Sequence, residues 1–181
     1  MSKIILDTFR KVLKNQNMYV EESPSLLYTF LSSILSFLQG YNHQKYWKRR
    51  DALMGNNISV FTRVLYLLYV KRVDSKHLSS FGTGWKEGAH FSTPPLLPHG
   101  PNGIIVGHDA WIGKNCKIFQ QVTIVEGNVK IGDNVQIGAG AKILRNVIIG
   151  NNVKIGANAI VVENVPDNAT VVLQKPRIII K

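Results

Sequence analysis

A single cysteine, Cys116, stands among the 181 residues of the chain. No intramolecular disulfide can form, so the fold must rest on packing alone. Acidic residues are scarce too: eleven Asp and Glu face 22 Lys and Arg, a formal net charge of +11. That balance favours anionic partners, among them nucleic acid, acidic lipid and phosphorylated ligands. Long apolar runs are also missing. LLYTFLSSILSFL, at 26–38, is the most apolar stretch. It is interrupted by serines and falls short of the roughly 20 residues that span a bilayer. The opening MSKIILDTFRKVLKNQ breaks its apolar residues with charges, unlike a secretory leader. The expectation is a cytoplasmic protein, peripheral to a membrane at most. With 45% hydrophobic residues the chain can bury a substantial core in one domain or two small ones.

What is present is a six-residue repeat. Branched apolar residues fall at Val106, Ile112, Ile118 and Ile124, slip by one residue, and resume at Ile131, Ile137, Ile143, Ile149, Ile155 and Val161. Two residues before nearly every one sits a small or branched residue, as at Ala110, Cys116, Val122 and Val129. Six is the period of neither a helix nor a strand. It reads as one short strand plus a turn, with the branched residue inward and glycine or asparagine at the corner. Asn115, Asn134, Asn151, Asn152 and Asn158 suit such corners because asparagine tolerates left-handed backbone angles. Cys116 takes an inward position and reads as a packed, reduced thiol.

The stretch LPHGPNGIIVGHDAWIGKNCKIFQQVTI, the segment IGAGAKIL and the ending ENVPDNATVVLQKPRIIIK resemble the hexapeptide-repeat acetyltransferases. They are most similar to the serine acetyltransferase-like branch, which includes enzymes acting on capsule, O-antigen and exopolysaccharide sugars. The resemblance covers roughly the last hundred residues. It implies a mainly β fold, a left-handed parallel β-helix of hexapeptide repeats over 79–181, assembled as a homotrimer with acetyl-CoA as cosubstrate. Residues 1–78 read as an α-helical N-terminal region. Ile5, Phe9, Val12 and Leu13 fit one helical face, Ser23 and Pro24 open a second helix that Gly40 stops, and Phe61, Val64, Leu65 and Leu68 form a third apolar pattern.

Five histidines are available, and His99 is distinguished by Pro98, Gly100, Pro101 and Gly103 around it. These fix or relax the backbone at a corner and expose the side chain. An alcohol is a poor nucleophile at neutral pH, so acetyl transfer to it needs a general base, and an imidazole suits that proton. His99 matches the catalytic histidine of the family. By the same resemblance Gly138, Ala139, Gly140 and Ala157 would line the coenzyme, with Lys175 and Arg177 near its phosphates. Gly127, at the register slip, is the candidate oxyanion donor. Trp85, His108 and Asp109 are candidate acceptor contacts, and Glu87, Asp109 and Glu126 are candidates to orient the base.

Departures from the branch bear on the acceptor. Gly84 and Pro98 stand where serine acetyltransferases carry aspartates, and VEGNVK replaces the loop that carries a second histidine. These losses point to a sugar hydroxyl in polysaccharide biosynthesis, with serine O-acetylation as the alternative. A zinc enzyme of the γ-carbonic anhydrase type needs three converging histidines, and nine residues separate His99 from His108, half a coil; no metal is expected. A non-catalytic solenoid would have no use for His99. The basic cluster Lys45, Lys48, Arg49 and Arg50 reads as a solvated helix face or a contact with anionic lipid, and no nucleic-acid fold signature accompanies it.

Overall fold

The computed structural model describes residues 40–174 and residue 179. The helical pattern expected at 5–13, all of the second one except its stop residue Gly40, and the tail residues Lys175 and Arg177 lie outside them.

Two helices precede the repeats. Helix α1 (His43–Met54) starts at Asn42, whose side chain accepts the Lys45 N–H, and α2 (Val60–Lys76) starts at Ser59, whose side chain accepts the Thr62 N–H. Each thereby satisfies an N–H left over at a helix start. The inner side of α1 holds Tyr46, Trp47, Arg50 and Leu53. For Arg50 this corrects the expectation of a solvated basic face, while Lys45 and Lys48 are exposed. The Arg50 guanidinium is buried, donates to the Thr83 hydroxyl and to the carbonyls of Phe81 and Ala89, and lies on the rings of Trp47 and Phe91. It ties the helices to the first coil. Arg49 instead lies over Tyr66 and Tyr69. The third apolar pattern is helical as its spacing requires, but Phe61, Leu65 and Leu68 point outward, 73%, 50% and 63% exposed. Arg63, Val70, Val73 and Asp74 occupy the inner side.

The remainder is a parallel β-solenoid built from two-residue strands. They are β1 (Ser80–Phe81), β2 (His90–Phe91), β3 (Ile105–Val106), β4 (Trp111–Ile112), β5 (Lys117–Ile118), β6 (Thr123–Ile124), β7 (Lys130–Ile131), β8 (Gln136–Ile137), β9 (Lys142–Ile143), β10 (Ile148–Ile149), β11 (Lys154–Ile155), β12 (Ile160–Val161) and β13 (Thr170–Val171). Three sheets form the faces: β1-β3-β6-β9-β12, then β2-β4-β7-β10, then β5-β8-β11-β13. Like stacks on like. Ile118 pairs with Ile137 and Ile137 with Ile155, so each branched residue meets its equivalent in the next coil. Both inward positions of the hexapeptide are buried, including Cys116, Val122, Val129 and Val135. Full burial of such a side chain is worth about 1.5–3 kcal/mol, which no single coil could secure without neighbours.

The corners follow the sequence closely. Asn115, Asn134, Asn152 and Asn158 have left-handed angles, as do Asn128, Asn146 and Asn168. Asn151 is not left-handed; its side-chain oxygen instead accepts the Asp133 N–H from the coil above. The slip at VEGNVK is a corner insertion of one residue. Residues 125–129 separate β6 from β7, where 107–110 separate β3 from β4. The first coil is the irregular one, with long loops at 82–89 and 97–104.

Candidate functional site

The chemistry-bearing residues divide between two edges of the prism. His99 stands on the edge where the third face turns into the first, in the loop 97–104, with Gly100 and Gly103 at positive φ. Its side chain is exposed, and its ring lies 5.8 Å from that of Phe119 in the coil below. Backbone hydrogen bonds run down this edge: the Gln121 N–H to the Asn102 carbonyl, the Gly140 N–H to Gln120, and the Asn158 N–H to Ala139. Gly138, Ala139, Gly140 and Ala157 therefore share the His99 edge. Gly138 needs no ligand to explain it, because a Cβ there would meet the Ala157 nitrogen at 2.6 Å. On this edge Ala139 is partly open and Ala157 is exposed.

Trp85, His108, Asp109 and Gly127 occupy the other edge, between the first and second faces. Here the oxyanion expectation is corrected. The Gly127 N–H donates to the Asp109 carboxylate at 3.0 and 3.1 Å, so it is already engaged. The same carboxylate accepts the Asn128 N–H at 2.7 Å. Those N–H groups, Asn128 first, hold the Asp109 carboxyl below the usual carboxylate range. Asp109 clamps the inserted corner and stands on a different edge from the His99 of its own chain. Trp85 is half-exposed over the Arg63 guanidinium, which accounts for it structurally. Trp111 stacks on His90 at 3.8 Å on the second face.

His108 has a different setting. Its Nε2 lies 2.9 Å from where a Cβ of Gly84 would be, so only glycine at 84 leaves the ring its place. The ring borders a cavity of about 450 Å³ that is also lined by Lys71, Thr83, Thr123 and Glu126. The Lys71 ammonium donates to the Thr83 carbonyl at 2.6 Å. Lys71 comes from α2, and nothing in the repeat pattern signals it. Cys116 is buried, its thiol pushed up to about 11 by burial, so it is no nucleophile near neutral pH. His99 and His108 stand on different edges, as their half-coil spacing requires. Among the described residues no three His, Cys, Asp or Glu side chains form a metal-ligand group. None of the described helices is long and apolar enough to cross a membrane.

Residues 103–144 match a hexapeptide repeat of succinyl-transferase, and residues 128–163 match the bacterial transferase hexapeptide family of six repeats. The solenoid carries the repeats that these two hexapeptide transferase families share. This hexapeptide-repeat chain is 36% identical to a serine acetyltransferase of Synechococcus elongatus, over 46% of this chain and 47% of that protein. It is 39% identical to the serine acetyltransferase of Staphylococcus aureus, over 58% of this chain and 53% of that one. It thus spans about half the length of the curated relatives it matches. Among solved structures, a Neisseria gonorrhoeae serine acetyltransferase in complex with serine is similar at a TM-score of 0.58 and 26% identity, covering 95% of this chain and 66% of that chain.

Proposed function

We propose that this protein transfers an acetyl group from acetyl-CoA to a hydroxyl, with His99 as general base. The observation that carries the reading is the single edge that His99 shares with Ala139 and Ala157, the small residues against which a pantetheine arm would lie. The imidazole takes the acceptor proton as the oxygen attacks the thioester carbonyl. Collapse of the tetrahedral species expels the CoA thiolate, which recovers the proton from His99. The buried, protonated Cys116 supports direct transfer without an acyl-enzyme.

The acceptor we favour is L-serine, because the relatives with which the solenoid aligns are serine acetyltransferases. This replaces the sugar preference drawn from the departures at Gly84 and Pro98. A sugar hydroxyl is kept as the second reading because Gly84 and Pro98 stand where serine acetyltransferases carry aspartates. In a homotrimer, the His99 edge of one copy would face the His108 edge of the next, and the Lys71 cavity would form the acceptor half of the site. Lys175 and Arg177 are proposed to flank the coenzyme phosphates.

Release of free CoA from acetyl-CoA, measured against L-serine, simple sugars and nucleotide sugars, tests this reading. Turnover of L-serine at least tenfold above every sugar is expected. Turnover of a sugar alone would reverse the order of the two acceptors, and no turnover with any acceptor would oppose the reaction itself.

A further inference from the structure

The turn that carries His99 is held from the helical region as well as from the coil below. His77 caps the C-terminal end of α2, and its carbonyl accepts the Gly103 N–H at 3.0 Å. Its ring Nδ1 lies 2.8 Å from Oδ1 of Asn102. The Asn102 amide nitrogen donates to the His99 carbonyl at 3.0 Å, and the Asn102 carbonyl accepts the Gln121 N–H at 3.0 Å. With its amide nitrogen committed to His99, Asn102 presents its oxygen to His77. The His77 ring therefore donates from a protonated Nδ1. Both ends of the amide are thereby satisfied, and three elements converge on one residue of the turn.

We infer that His77 and Asn102 are positioning residues for His99: α2 sets the direction of the base through a side-chain bridge across 25 positions of sequence. The inference rests on His99 being the base. Neither residue touches the reacting atoms. The Asn102 side chain pins the His99 carbonyl, and the main chain at that point fixes where the imidazole leaves the corner. A displacement of about 1 Å at a reacting group lowers rate about 100-fold, so a bridge of modest stability value can still govern turnover.

The test compares Asn102→Ala, Asn102→Asp, His77→Leu, His77→Asn and His99→Ala, using acetyl-CoA and whichever acceptor of the panel above is turned over. Asparagine at 77 places a side-chain N–H where the imidazole Nδ1–H stood. Asn102→Asp, nearly isosteric, keeps an acceptor for His77 and loses the donor to His99. Expected are kcat losses of about 10- to 100-fold for Asn102→Ala, Asn102→Asp and His77→Leu, with KM for acetyl-CoA unchanged within about twofold. His77→Asn should recover to within about threefold of wild type. Hydrogen exchange over 97–104 should quicken in Asn102→Ala, a readout that needs no acceptor.

Full kcat in Asn102→Ala and His77→Leu beside an inactive His99→Ala overturns the bridge and leaves the base standing. Full activity of His99→Ala overturns both. Failure of His77→Asn to recover what His77→Leu loses also contradicts the bridge, as does unchanged exchange over 97–104. If His77→Leu does not fold, the Asn102→Asp rate decides.

Discussion

The Asp109 carboxylate accepts the Asn128 N–H at 2.7 Å from across the inserted corner, with the Gly127 N–H beside it. One extra residue in a hexapeptide would leave these N–H groups without strand partners, and a carboxylate from the coil above supplies them. The carboxyl is held below its ordinary value, so its contribution is present above pH 3.8 and is lost as pH falls through the lower folded value. Asp109→Asn should therefore melt slightly below wild type at pH 7 and converge with it in strong acid. Thermal unfolding from pH 2 to 7 checks this, and parallel curves across the range would contradict it.

Asp74 predicts the opposite sign. Burial raises its carboxyl to about 6, against the partial relief of the Tyr46 hydroxyl at 2.6 Å and of the nearby Lys71 and Arg50 cations. The folded value lies above the unfolded 3.8, so this stability is complete below 3.8 and is lost as pH rises through about 6. Asp74→Asn keeps an acceptor for Tyr46. It should be more stable than wild type at pH 8 by about 1–3 kcal/mol, a gain that vanishes near pH 4. Denaturant unfolding at the two pH values measures it.

Much of this molecule was legible in its sequence because a solenoid is a local code. The period placed Ile118, Ile137 and Ile155 in the core, and the slip after Ile124 located the inserted corner. Gly127 was misread because a glycine at a break suggests an approaching ligand, while its true partner, Asp109, lies a coil away. Phe61, Leu65 and Leu68 gave the helix but not its buried side, which Arg63 and Asp74 help to fill through polar partners that no apolar pattern registers. His77, Asn102 and Lys71 escaped for a similar reason. Each acts through a contact between the helical region and the first coil, where no repeat constrains the sequence.

The repeat itself is open to test at Ile137, which is fully buried between Ile118 and Ile155. Ile137→Ala should cost about 2–5 kcal/mol, from lost burial plus the cavity left in a stack that cannot collapse. Equilibrium unfolding in urea reads this directly. A loss below about 1 kcal/mol would mean that the coils do not share a continuous core.

Lys71 separates the two acceptor readings. A serine carboxylate in the cavity would meet its ammonium, whereas a neutral sugar would not. Lys71→Met should raise KM for L-serine about tenfold or more and leave KM for acetyl-CoA unchanged. Unchanged KM for L-serine would remove the cavity from the acceptor site.

The most direct measurement is the steady-state rate of CoA release with acetyl-CoA and L-serine, wild type beside His99→Ala. The account predicts a fall in kcat of at least about 100-fold in the variant, consistent with loss of a general base, with its melting temperature and acetyl-CoA affinity retained. Equal rates from the two proteins would contradict the assignment of His99 and, with it, the mechanism built on that edge of the solenoid.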